Sequence, residues 1–236
     1  MISRLLAQER LILIHLVVFD LDGTLVDSRR DLANATNALI VELGGQALSE
    51  ERVTSMIGDG AAVLVRRALS AAGLDPDTPG VLDRFLSHYD ACLLDYTRPY
   101  PGMTAALAAL SRRARLAVLT NKPSAATERL LNGLGLRAWF ADVVGGDTPE
   151  GRKPNPNGLM GIIRRASATP AGTLLVGDSA IDLATARQAG TRICLARYGF
   201  GHHGAISLDS GDFVIDSPDG LEPLLVSLNG AESHQA

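Results

Sequence analysis

The stretch Leu11–Asp20, LILIHLVVFD, constrains the fold more than any other part of the chain. It is short, aliphatic and β-branched, almost unbroken in hydrophobicity, and it ends on a carboxylate. Such a run predicts a strand covered on both faces, as in a parallel sheet flanked by helices. Runs of the same style recur at Leu116–Thr120, Asp142–Gly145, Thr173–Asp178, Arg192–Ala196 and Asp212–Asp216. Helical periodicity lies between them, at Thr104–Arg112, Ser124–Leu134, Gly158–Ala166 and Asp182–Gln188. Strands alternating with helices predict βαβ units and an α/β, doubly wound parallel sheet of Rossmann-like type.

One stretch breaks the alternation. Between Ser28 and Arg98 there is no convincing strand, only helical patterns at Asp31–Leu43, Ser49–Met56, Ala61–Ala72 and Thr78–Tyr96. Ser49 starts its helix without a full capping box, and Gly44-Gly45 and Gly73 are stops. Pro99-Tyr100-Pro101-Gly102 reads as a rigid turn back into the α/β pattern. The expected organisation is therefore a core of residues 1–27 and 99–236, with residues 28–98 inserted as a helical domain. Residues after Pro218 should form a last helix and a frayed tail.

Composition narrows the function classes. A net charge of −4 gives no electrostatic reason to expect nucleic acid. No apolar run approaches the ~20 residues of a membrane span, and the N-terminal segment leads into acidic residues instead of a small-residue cleavage site. Cys92 and Cys194 form no metal-binding pattern and read as two buried free thiols in a reducing cytoplasm. Oligomeric state is left open.

In an open parallel sheet, ligands bind beyond the carboxyl ends of the strands, and four strand ends here carry phosphate chemistry. Asp20-Leu21-Asp22-Gly23-Thr24 puts two carboxylates directly after an apolar strand, which is costly unless their charge is compensated. A hard divalent cation such as Mg²⁺ would do so, and Gly23 would let the backbone turn around an anion. Thr120-Asn121-Lys122 supplies donors for phosphate oxygens, and Thr120 and Asn121 could also cap the helix that follows Pro123. Lys153 precedes Pro154. Gly177-Asp178-Ser179-Ala180-Ile181-Asp182 ends a strand on Asp178 and places Asp182 in the first turn of the next helix. Each group has an ordinary structural explanation; their joint occurrence, in order, does not.

The ordered set DLDGT, TN with its following Lys, KP and GDSxxD resembles the four signature motifs of the haloacid dehalogenase superfamily, from about Val17 to Asp216. The helical insert looks like that superfamily's C1-type cap. The resemblance implies Asp20 as the nucleophile that takes up a phosphoryl group, and Asp22 as general acid and base, protonated at first. It implies Thr120 and Lys153 on the phosphoryl oxygens, with Gly23, Thr24, Asn121 and Lys122 also at the substrate. Mg²⁺ would be held by Asp20, the Asp22 backbone carbonyl and Asp178, with Asp182 supporting its shell. A carboxylate at Asp22 disfavours dehalogenation. The stretches IGDGAAVLVRRAL, TRPYPGM, TNKP and GGDTPEGRKPNP look like bacterial phosphoglycolate phosphatases. They imply a cytoplasmic enzyme acting on a small phosphorylated metabolite through an aspartyl-phosphate. Sugar-phosphate phosphatases, including N-acetylmuramic acid 6-phosphate phosphatases, and β-phosphoglucomutase-like mutases share much of the pattern. A silent binding protein on the same fold would be expected to lack Asp20 or Asp178.

Selectivity is expected from the insert. Gly58 and Gly60 would let a loop approach the substrate. Arg66 and Arg67 could meet a substrate carboxylate through their guanidinium forks, although each also reads as the solvated face of a helix. His202 and His203, in YGFGHHGA, read as a loop near the rim of the site, and Trp139 as a partly buried packing residue.

Overall fold

The structure is a computed structural model that describes residues 13–201 and 206–230. Six parallel strands form the main sheet: β1 (Leu16–Phe19), β4 (Arg115–Leu119), β5 (Asp142–Val144), β6 (Thr173–Gly177), β7 (Arg192–Ala196) and β8 (Phe213–Ile215). Their order is β5-β4-β1-β6-β7-β8, so β1 is central, with Phe19 in register with Val118 on one side and Val176 on the other.

The near-continuous hydrophobicity of β1 has a direct cause. Val17 and Phe19 enter one apolar cluster while Leu16 and Val18 enter another, because successive strand side chains point to opposite faces. The first cluster is covered by α5 (Met103–Leu110), α6 (Ser124–Gly133) and α9 (Leu221–Gly230), and the second by α7 (Asn157–Arg165) and α8 (Ala180–Ala189). A doubly wound α/β sheet is what the alternation predicted. β1 itself is shorter than expected: residues 13–15 precede it, and Leu11 and Ile12 lie outside the described residues, as do His202, His203 and the tail beyond Gly230. Trp139 is half-buried against the first cluster.

Between β1 and α5 lie four helices, α1 (Arg29–Glu42), α2 (Glu50–Thr54), α3 (Ala61–Ala71) and α4 (Val81–Cys92). Ser49 accepts a hydrogen bond from the Arg52 N–H, and Gly44 and Gly73 take positive φ at the helix stops, as their composition indicates. A short ribbon closes the stretch and touches it only at Arg98: β2 (Val26–Asp27) and β3 (Arg98–Pro99) pair antiparallel, so Pro99 is an edge-strand residue as well as part of a turn. A two-residue ribbon carries too little periodicity to be read from sequence.

Beside this ribbon, Asp31 of α1 is fully buried. It accepts from the backbone N–H groups of Tyr96 and Thr97 and from the Thr97 hydroxyl, at 2.7–3.1 Å. The entry into the helical stretch is thereby tied to its exit.

Candidate active site

The cleft lies beyond the carboxyl end of β1, where the sheet order reverses and a parallel sheet places its ligands. Asp20 follows β1 directly, its N–H donating to the Val176 carbonyl at 2.9 Å. Asp178 follows β6, and Asp182 stands in the first turn of α8. Ligand oxygens of these three buried carboxylates lie within 4.8 Å of one another.

Lys153 is the counter-charge. Its Nζ lies 2.8 Å from Asp20 Oδ1 and 2.6 Å from Asp182 Oδ1. The other Asp182 oxygen accepts from the Ser179 N–H and hydroxyl, completing a capping box on α8. Asp178 Oδ2 accepts from the backbone N–H groups of Phe200 and Gly201 at 2.9 and 2.7 Å. The described part of the Gly-rich stretch thus lies at the site through its backbone.

Three carboxylates therefore face one ammonium. Burial pushes the Asp20 carboxyl up to about 6, with Lys153 opposing and Asp182 adding to the rise. Burial, and then the charges of Asp182 and Asp20, hold Asp178 well above the usual carboxylate range. Burial alone would lower the Lys153 ammonium, but Asp182 and Asp20 more than offset it and the group is held above its ordinary value. Asp20 Oδ1 is buried without a properly directed hydrogen bond, although Lys153 lies within ion-pair distance. Three buried carboxylates against a single ammonium are an excess of hard oxygen donors, which fits a divalent metal ion.

Asp22 lies apart from this cluster. Lys122 Nζ sits 3.0 and 2.9 Å from its two oxygens, and the Ser28 hydroxyl donates to it at 2.5 Å. The pair Asp20 and Asp22, costly when read along the chain, is resolved by giving each carboxylate its own lysine.

The structure gives several of these residues definite local roles. Gly23 turns the chain closely against Asp178: its φ is +86°, and an added Cβ would lie 2.0 Å from Asp178 Oδ2. Thr24 is fully buried, its hydroxyl has no partner among the described residues, and it does not line the cleft. Neither Thr120 nor Asn121 caps α6. Asp147 accepts from the Ser124 N–H and hydroxyl there, and Thr120 lines the cleft.

Asn121 is committed to backbone. Its amide donates to the carbonyls of Gly58 and Lys153 at 3.0 and 3.1 Å, and its oxygen accepts from the Lys153 N–H at 2.8 Å. Asn121 therefore sets Lys153 in place and touches the loop before α3. Arg66 pairs with Asp77 on the exposed surface, and Arg67 with Asp59 and the Met56 carbonyl. Neither reaches the cleft. Cys194 is buried as expected, but Cys92 is only half-buried; both are free thiols.

The pairing of Lys122 with Asp22, across 100 positions of sequence, has no local signal and was not foreseen. Nor was Tyr89 of α4, whose ring centroid lies 4.5 Å from Lys122 Nζ and whose buried hydroxyl has no partner among the described residues.

Comparison with known proteins places this arrangement. A phosphoglycolate phosphatase of Rhodospirillum rubrum is 42% identical over 200 residues, covering 81% of this chain and 83% of that protein. A plasmid-encoded phosphoglycolate phosphatase of Cupriavidus necator is 40% identical over 212 residues, covering 89% of this chain and 92% of that protein. A crystal structure described as a predicted phosphoglycolate phosphatase from Haemophilus somnus superposes with a TM-score of 0.83 at 30% identity, over 91% of this chain and 98% of that one. Residues 17–196 match the family described as haloacid dehalogenase-like hydrolase, from β1 through Asp20, Lys153 and Asp178 to the end of β7, and the chain belongs to that family.

Proposed function

We propose that the chain hydrolyses phosphomonoesters through an aspartyl-phosphate on Asp20, with 2-phosphoglycolate as substrate and glycolate and phosphate as products. The observation that carries the reading is Asp20 itself. It is a buried carboxylate at the end of the central strand, 2.8 Å from Lys153 and grouped with Asp178 and Asp182. The names of the relatives at about 40% identity support the substrate.

Asp20 approaches phosphorus in line with the ester oxygen, and the P–O ester bond breaks as the bond to Asp20 forms. Asp22 gives its proton to the leaving alkoxide. It then takes a proton from water as that water attacks phosphorus, the Asp20–phosphorus bond breaks, and inorganic phosphate leaves with Asp22 protonated again. Lys153 and Thr120 hold the phosphoryl oxygens. Mg²⁺, held by Asp20, Asp178 and the Asp22 backbone carbonyl with Asp182 behind them, would supply charge neutralisation at those oxygens. Residues 28–98 act as the cap that excludes water during transfer. The free thiols Cys92 and Cys194 agree with a cytoplasmic setting.

The test is phosphate release from 2-phosphoglycolate, several sugar phosphates and nucleoside monophosphates, each with Mg²⁺ and with chelator. A preference in kcat/KM for 2-phosphoglycolate that chelator abolishes is expected. A flat profile or a sugar-phosphate preference removes the phosphoglycolate assignment, and no release from any ester removes the phosphatase.

A further inference from the structure

The cleft is unbalanced in a way that bears on what leaves with the alkoxide. Its core wall carries the carboxylates. Its opposite wall is carbon, with Leu32, Leu64, Phe85, Leu86 and Tyr89 among its residues. Arg66 and Arg67 are engaged elsewhere. Of the two lysines at the cleft, Lys153 is held between Asp20 and Asp182, which leaves Lys122 as the cationic side chain beside Asp22.

Lys122 is held as a built feature. Its side chain is only 4% exposed, Asp22 grips its Nζ through both oxygens, and the Tyr89 ring covers it from the cap side at 4.5 Å. An ammonium has three donors, and beyond the Asp22 oxygens this one has no other oxygen or nitrogen partner among the described residues. Tyr89 adds a second unmet polar group, its buried hydroxyl. Lys122 contacts Asp22 and Tyr89 stacks on Lys122; on the phosphatase reading Asp22 serves the leaving oxygen, which puts both groups on the leaving-group side of the cleft.

We infer that Lys122, backed by Tyr89, is the specificity determinant that reads a carboxylate on the leaving group, and so selects phosphomonoesters of short hydroxy acids over neutral esters of the same length. The inference rests on the phosphatase reading above. Bringing a carboxylate into a cleft already crowded with carboxylates is repulsive unless a cation meets it, and Lys122 is placed to do so. A compact ammonium on a flexible stem can contact Asp22 and a third oxygen together.

The test compares 2-phosphoglycolate with 2-hydroxyethyl phosphate, its neutral counterpart, in the Mg²⁺-loaded enzyme. Wild type should prefer the carboxylate ester in kcat/KM by about 30-fold or more, the scale of a buried charge contact. Lys122→Met slows both esters, because Asp22 loses its partner, but it should erase most of that preference. Lys122→Arg keeps the charge and should keep most of it. A preference unchanged in Lys122→Met, or lost as fully in Lys122→Arg as in Lys122→Met, overturns the inference. Should Lys122→Met not fold, Tyr89→Leu decides. A reduced preference with KM for 2-phosphoglycolate raised more than kcat is lowered supports the assignment, and an unchanged preference overturns it. Wild-type turnover of both esters without preference overturns the inference and leaves a phosphatase standing, whereas no turnover of any ester removes both.

Discussion

On the core wall of the cleft, Asp20, Asp178, Asp182 and Lys153 are buried and tied to one another or to backbone. On the opposite wall, Leu64, Phe85, Leu86 and Tyr89 present carbon, and the charges of that region stand outside it in exposed pairs such as Arg66–Asp77. The packing differs as much as the polarity. An added Cβ on Gly177 would lie 2.2 Å from Asp182 Cγ, whereas one on Gly58 would meet nothing closer than 3.8 Å. Charge held at fixed distances stabilises a developing transition state because nothing has to reorganise. A carbon wall contributes by excluding water. On the proposed mechanism the two walls divide the work, chemistry to the core and enclosure to residues 28–98.

The sharpest way to break this division is Asp20→Asn. Turnover should fall by about 10⁴-fold or more, as for loss of a nucleophile, while circular dichroism and cooperative melting stay native. The metal-free protein adds a second reading. Burial raises the Asp20 carboxyl from 3.8 to about 6, so the folded state holds this proton more tightly than the unfolded chain. Its contribution to stability is full below pH 3.8 and is lost as pH rises through about 6. The uncharged amide of the Asp20→Asn variant has no such loss. With chelator present, the variant should gain melting temperature over wild type at pH 7, and the gain should shrink as pH falls towards 4. A gain that grows on acidification would contradict burial as the dominant effect.

Asn121→Ala tests whether the core wall works through second-rank supports. Asn121 touches no substrate in the proposed chemistry but holds the backbone of Lys153 from both sides. Its loss should lower kcat by about 10- to 100-fold, the range for residues that orient a functional group. KM should move less. A change confined to KM would mean that Asn121 binds substrate directly, as its position in the motif first implied.

The contrast also explains what could be read from the chain alone. β1, β4, β6 and β7 were legible because a strand buried on both faces is apolar almost throughout, and the acids that follow β1 and β6, Asp20 and Asp178, stand out against that background. Asp20, Asp178, Asp182 and Lys153 meet in space because strand ends in a parallel sheet meet at one edge, which is topology and needs no side-chain detail. What stayed hidden depends on partners far apart in sequence: Lys122 with Asp22, Asn121 with Lys153, Asp31 with Thr97. Periodicity carries no information about such pairs. Arg66 and Arg67 were left with two readings for the same reason, since residue type suggests a carboxylate partner and only geometry shows the exposed pairs with Asp77 and Asp59.

Asp31 probes the joint between the walls. Asp31→Ala would leave the Tyr96 and Thr97 N–H groups and the Thr97 hydroxyl without their acceptor in a buried setting. The cost should be about 3 kcal/mol of stability, since unmet donors at a charged acceptor are expensive. Thermal melting measures it, and the rate at saturating substrate should fall less than in Asn121→Ala, because no atom of the core wall loses a partner.

Arg66→Ala and Arg67→Ala complete the series with the smallest effects. Both side chains are about half exposed, at 57% and 46%, and both already pair with aspartates on their own surface. Exposed pairs of this kind contribute about 0–1 kcal/mol, so melting should move little. If selectivity resides in Lys122 and the carbon wall, kcat/KM for 2-phosphoglycolate should change by no more than about 2-fold in either variant. A large rise in KM on losing either arginine would bring the cap surface back into contact with substrate. It would mean that the exposed pairs with Asp77 and Asp59 break when the cleft fills, and the division between a charged core wall and a carbon cap wall would then hold only before substrate binds.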